Sequence, residues 1–301
     1  FYPSRIIMQD FTGIPILMDL ASMRDTIKEE DVKKINPQIM VDLVIDNFLD
    51  IDNNEINLDK ENELQKEKYE FVKWAESAFS NFRVIPPGSG IRYQVNLEFL
   101  STILHVQKSE DKFFLYPETI IGTDSNTNII NSLGVLGWGV SGIEAETSIF
   151  GLPITLNFPK VVGVNVSGEL KGGITSSDLV NSLIKVLKEN EIEGKIVEFY
   201  GVGLKYLTLE DRSIISSKAP EYNARCSFFA IDEKTISYFN KTRDNEDYAR
   251  LIKTYLEKQN LFYEDLELDY DEFINFNLSL LDPIINELKR VQDNIDIHSL
   301  K

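Results

Sequence analysis

Imidazole, thiol and positive charge are the scarce chemistries of this sequence. Its 301 residues include two histidines, one cysteine and 31 Lys+Arg against 49 Asp+Glu, for a formal net charge of -18. A lone thiol, Cys226, cannot close an internal disulfide or build a thiolate metal site, and it fits a reducing, cytoplasmic setting. His105 and His298 leave little room for histidine acid-base chemistry. The acidic balance opposes a nucleic-acid partner, because a phosphate backbone is held chiefly through counterion release to basic side chains. No apolar run is long enough to span a membrane, so no membrane partner is expected. The first residues, FYPSRIIMQD, show neither a cationic segment leading into an apolar one nor a basic amphipathic pattern. Starting at Phe1 without Met, the sequence reads as a processed or excerpted piece.

Core-building material is abundant. The chain is 43% hydrophobic and 11% aromatic, enough to bury the cores of two domains. Strand and helix patterns alternate, which predicts an α/β architecture. RIIM reads as a short buried strand, followed by a turn at Gly13 to Pro15 and an apolar helix. VDLVID reads as a strand ending in acids. Phe71, Trp74, Ala75, Ala78, Phe79 and Phe82 recur at helical spacing, predicting one buried helix face that Pro86-Pro87-Gly88 terminates. Thr175 with Asp178 has the spacing of a capping box at the start of another helix. KIVEFYG reads as a buried strand with Glu198 inside it. A domain over 1–155, a second over 156–240 and a helical acidic tail over 241–301, with ELDYDEF as a charged connector, complete the expected organisation.

Three acids stand where their environment matters. Asp46 closes one strand, Asp124 with Ser125 follows TIIGT, and Glu198 interrupts an apolar strand. A carboxylate in such a place must find partners or stay protonated. Each is a cap, a satisfied core acid or part of a shared polar cleft. Gln9 closes a turn or orients a ligand carboxylate, and Tyr93 reads as a core aromatic. Gly137, Gly139 and Gly142 in GWGVSG have dinucleotide-fold spacing. No convincing strand leads into them and no acid follows at the required distance, so close backbone packing is the better reading.

RIIMQDFTGIPILMDLASMRD, DLVID, FRVIPPGSGI with QVNLEFL, YPETIIGTDS, GVLGWGVSGIEAE, VEFYGVGL and APEYNARCSFF together resemble the aconitase family. The likeness is to the cytosolic and bacterial type that includes the iron regulatory proteins, and it covers nearly the whole chain. The resemblance implies tandem three-layer α/β/α domains and isomerisation of citrate and isocitrate by loss and re-addition of water at a [4Fe-4S] cluster acting as Lewis acid. The family's cluster cysteines belong to a further domain whose motifs do not occur here. The resemblance therefore implies that this chain holds no ligands for the cluster and that a cluster-bearing domain is supplied in cis or in trans.

By the same resemblance Gln9, Asp124, Ser125 and Asn126 contact the tricarboxylate, and Asp46, Asp124 and Glu198 are the catalytic acids. Three family histidines are replaced, by Asn47, Tyr93 and Asn126, so GTDSNT stands where the family has GTDSHT. A carboxamide can donate a hydrogen bond but cannot exchange a proton near neutral pH. Losing one positioned acid-base group costs on the order of 10²- to 10⁴-fold in rate. An inactive chain is expected, the alternative being a degenerate homologue that acts as a noncatalytic binding or scaffold module.

Overall fold

A computed structural model describes residues 1–45, 58–86, 100–243, 245–264, 268–286 and 294–296. The expected site positions Asp46, Asn47 and Tyr93 lie outside them. The chain divides into two compact units, residues 1–127 with 135–157, and residues 128–134 with 158–301. Both are α/β, built on parallel sheets.

The first unit holds a five-stranded sheet of β1 (Arg5–Gln9), β2 (Met40–Val44), β3 (Phe82–Ile85), β6 (Thr119–Gly122) and β7 (Leu136–Gly139). Their order is β3-β2-β1-β6-β7, every pairing parallel. Between β3 and β6, β4 (Leu104–Ser109) and β5 (Lys112–Pro117) form an antiparallel hairpin. Helices α1 (Asp10–Thr26), α2 (Leu58–Ala78) and α3 (Gly142–Ile149) pack on the sheet. Leu17 and Leu20 of α1, Val72 and Ala75 of α2 and Ile149 of α3 join Ile6, Met8, Val41, Leu43 and Ile121 in one core. Each fully buried aliphatic side chain contributes about 1.5–3 kcal/mol.

Alternation along each strand sends Arg5 and Asp42 away from that core. Asp42, fully buried, accepts from Arg5 Nη1 at 3.1 Å and from Arg83 Nε and Nη2 at 2.9 and 2.7 Å. Arg5 Nη2 reaches Glu118 at 2.8 Å, and Glu118 also accepts from the Ser101 hydroxyl and the Thr102 amide. Two cations and two carboxylates thus tie β1, β2, β3 and the approach to β6.

Local sequence cues misplace several details here. Gly13 and Pro15 lie inside α1 rather than in a turn before it. At Gly13 a Cβ would stand 2.6 Å from the Met8 Cβ and 2.8 Å from Leu43, so this glycine lets helix and sheet approach. The helix carrying Phe71 ends at Ala78, well before the proline pair, and Phe82 opens β3. Trp74 is 45% exposed, its ring stacked on Phe71 and edge-on to Phe79 rather than in the core.

The second unit is a parallel sheet of β8 (Val161–Ser167), β9 (Ile196–Tyr200), β10 (Cys226–Phe229) and β11 (Glu272–Asn277), in the order β10-β9-β8-β11. Val162, Val164, Val166, Val197, Phe199 and Phe229 meet helix α4 (Ser176–Glu189) through Leu179, Leu183 and Leu187. The capping box at Thr175 and Asp178 is formed, and Thr208 with Asp211 makes another at α5 (Leu209–Ser217). Helices α6 (Glu233–Arg243) and α7 (Glu246–Lys258) follow. The expectation of a helical tail from residue 241 is corrected after α7. The stretch read as a charged connector runs into β11, which its Glu272 and Phe273 open; β11 pairs with β8 along its whole length, and 284–286 pairs with 294–296. Lys195 holds Glu272 of β11 through both carboxylate oxygens, and Asp271 accepts from the Val161 amide. Acidic side chains there fasten an edge strand. Among the described residues no helix is long and apolar enough to cross a membrane.

Candidate functional site

In a parallel sheet the crevice outside the carboxyl ends of two strands opens where the chain winds in opposite directions from neighbouring strands. From β1 the first unit winds outward to β2 and β3, and from β6 it winds the other way to β7, so the switch falls between β1 and β6. Gln9 is the last residue of β1, and Thr123 to Asn126 directly follow β6. Sequence positions more than a hundred residues apart therefore meet at one strand-end crevice.

Hydrogen bonds lock the two strand ends together. The Thr123 amide donates to Ile7 O at 3.1 Å, and the Gln9 amide donates to Thr123 Oγ1 at 3.3 Å. Thr12 Oγ1 lies 2.6 Å from Thr123 Oγ1. Asp124 accepts from the Asn126 amide at 2.6 Å, an Asx turn that shapes the loop, and the Thr127 hydroxyl returns to Asp124 O at 2.7 Å. Thr12 and Thr123 were not foreseen, since a hydroxyl in a helix or after a strand carries no distinctive sequence signal. Asp10 directly follows Gln9. Buried at the start of α1, it accepts from its neighbour's amide and pairs with Lys68 of α2 at 2.7 Å.

Glycines make the close approach possible. A Cβ on Gly122 would fall 2.0 Å from Thr127 Oγ1 and 2.9 Å from Ile7 O. One on Gly139 would fall 3.1 Å from Asp124 O, so at Gly139 the packing role read from GWGVSG holds. The context of that motif is corrected in one respect: β7 does lead into it, and α3 does follow. Two of the three glycines, however, sit in the strand itself. The α3 N-terminus is occupied by the Glu144 carboxylate, which accepts from the Ser141 amide and hydroxyl. A phosphate would meet that negative charge.

At the corresponding switch of the second unit, between β8 and β11, the crevice is filled by the chain itself. Asn277 accepts from the Ser279 amide, and the Ser279 hydroxyl bonds both the amide and the carbonyl of Glu169. Glu198 lies elsewhere in that unit, mid-strand in β9, opposite Gly163 and Phe228. Burial raises its pKa.

A carboxyl group whose pKa rises on folding is ionised more readily in the unfolded chain. Its contribution to stability is therefore lost as pH rises from the ordinary value of 4.5 through the folded value. Glu198→Gln should match the parent in melting temperature below about pH 4 and exceed it progressively towards neutrality. A constant difference across thermal melts at each pH would show that Glu198 is not the group responsible.

The described residues do not fit an iron-sulfur cluster. Cys226, fully buried in β10, has its thiol pushed up to about 12, chiefly by burial, and so is no thiolate ligand. Among the described residues no group of three or more His, Cys, Asp or Glu is placed to hold a metal ion.

Residues 1–301 match the aconitase family (aconitate hydratase). The chain is 42% identical over 309 residues to aconitate hydratase A of Rickettsia felis and 43% identical over 310 residues to that of Legionella pneumophila. It is 40% identical over 311 residues to aconitate hydratase A of Staphylococcus epidermidis. Each alignment takes in 100% of this chain but only 34–35% of the relative, so the chain spans about a third of their length. A match along every residue, at this identity and with the strand-end crevice in place, shows that the chain belongs to the aconitase family.

Proposed function

We propose that this chain contributes one wall of a citrate/isocitrate site and binds the tricarboxylate without turning it over by itself. The observation that supports this most is the contact of Gln9 with Thr123, the residue directly before Asp124, Ser125 and Asn126, at the switch between β1 and β6. In this reading the Gln9 and Asn126 carboxamides and the Ser125 hydroxyl donate to substrate carboxylates, and Asp124 accepts from the substrate hydroxyl. Asp46 and Glu198 are kept as the catalytic acids that the family resemblance implies. Asn126, Asn47 and Tyr93 stand where the family has histidine. The two asparagines can hold an oxygen but cannot carry its proton near neutral pH, and the ordinary tyrosine pKa of about 10 is far from neutrality. The domain that seats the cluster is proposed to be supplied in cis or in trans.

Titration calorimetry of the 301-residue chain with citrate tests the binding half. Heat is expected at millimolar citrate, and Gln9→Ala or Ser125→Ala should weaken binding about tenfold, the scale of a hydrogen bond to a charged group. Absence of heat, or variants that bind as the parent does, would sink it. The second half fails if the chain alone converts citrate to isocitrate above the uncatalysed background.

A further inference from the structure

At the other end of the first unit's sheet, under the amino ends of β1, β2 and β3, lies a cavity of about 520 Å³. Its wall is completed by the β4–β5 hairpin, which places His105 and Tyr116 directly across from one another in register, with Gln107 two residues along on the same face. The two rings lie 5.1 Å apart at 38°. Tyr2 stands at the mouth, 69% exposed, and Gln38 and Asn81 line the sheet side.

Although 27% of the chain is charged, none of the lining residues is Asp, Glu, Lys or Arg. A phosphate or carboxylate ligand would find no counterion there, which separates this cavity from the tricarboxylate site. Planar rings interleaved with carboxamides suit an uncharged heterocycle, stacked on its faces and read along its edge. The volume suits a ligand of that size.

Hydrogen bonds already made narrow the choice. Gln38 donates its Nε2 to Asn36 O at 3.1 Å, and Asn81 donates its Nδ2 to Pro37 O at 3.0 Å. Each therefore keeps its carbonyl oxygen to offer. Each amide also keeps one N–H, so the sheet side offers acceptors beside donors, and a ligand edge that carries an amine next to a ring nitrogen complements both. Tyr116 stays a neutral phenol, because burial and the nearby Glu118 raise its pKa, and can donate to a ring nitrogen.

We propose that this cavity binds an amino-purine nucleoside of the adenosine type, its base held against the His105 and Tyr116 rings and its exocyclic amine facing the carbonyls of Gln38 and Asn81. The site is independent of the citrate proposal, uses none of its residues and lies at the opposite end of the strands.

Calorimetry of the full 301-residue chain provides the test. Adenosine should bind, and ATP should bind no more tightly, since nothing in the lining neutralises its phosphates. Inosine, which presents a carbonyl where adenosine has its amine, should bind about tenfold more weakly. His105→Ala should weaken adenosine about tenfold, as expected for loss of a stacking ring, and Gln107→Ala should weaken it measurably. Both side chains are at least partly exposed on a hairpin, and circular dichroism would verify that the variants fold. No heat at about 5 mM adenosine overturns the proposal, as does an affinity unchanged by His105→Ala. Glucose binding as well as adenosine does would overturn the assignment to a nucleoside.

Discussion

Replacing Asp42 by alanine is expected to lower the free energy of unfolding by about 3 kcal/mol, the lower end of the range for breaking a buried ion pair. The loss comes from what remains. Arg5 is itself buried, with its Nε unpartnered among the described residues, and without Asp42 its charge would be answered by Glu118 alone. Glu118 is committed to Ser101 and Thr102 as well, so it cannot turn to compensate. Arg83 is half exposed and rehydrates at little penalty. Arg83→Ala removes two of the three bonds to the buried Asp42 but leaves Arg5 to answer its charge, and should cost less than Asp42→Ala, about 1.5 kcal/mol. Urea denaturation reads both values, and a loss below about 1 kcal/mol for Asp42→Ala would show that the network contributes nothing beyond the apolar core.

The second unit should respond still more strongly to Asp232→Ala. Arg212 is fully buried, and its Nη2 bonds Asp232 at 2.6 Å and Leu204 O at 3.2 Å. Nε and Nη1 have no partner among the described residues, and the guanidinium lies 5.7 Å from the Phe229 ring centroid. Removing Asp232 strands that cation, a loss of about 3–5 kcal/mol. Asp232 also caps α6, its Oδ1 accepting from the amides of Lys234 and Thr235 at 3.0 and 3.2 Å, which adds about 1 kcal/mol. Asp232→Asn retains an acceptor for the cap and should lose only the first part. Adding Arg212→Met to Asp232→Ala removes the stranded charge and should recover most of that same part. A double variant no more stable than Asp232→Ala would mean that the cap and local packing, rather than the unpaired arginine, carry the effect.

Several elements were legible because their causes are local. Thr175 and Asp178 close a capping box whatever surrounds them, RIIM and KIVEFY are strands by composition, and the helix at Leu179 to Leu187 follows from its apolar spacing. Other elements misled because one residue type serves two purposes. Gly13 signals a turn by propensity but is needed where α1 presses on Met8 and Leu43. The acids around Asp271 and Glu272 look like a solvated connector, yet they grip Val161 and Lys195 across β11. Trp74 has helical spacing with Phe71, but whether it faces core or solvent depends on how α2 is rolled on the sheet.

By itself the sequence determined the α/β class, the capping box at Thr175, the strands β1, β2 and β9 and membership of the aconitase family. The resemblance read from it also implies histidine at the positions of Asn47, Tyr93 and Asn126. Only the tertiary structure decided which strand ends adjoin. Gln9 and Thr123 meet because the chain winds outward from β1 and the opposite way from β6, a choice made by crossovers far from either residue. The same holds for the cavity at His105 and Tyr116, which exists because a hairpin folds back under the amino ends of three strands. Propensity and capping act within a few residues, whereas strand order follows from burying the faces of a whole sheet at once.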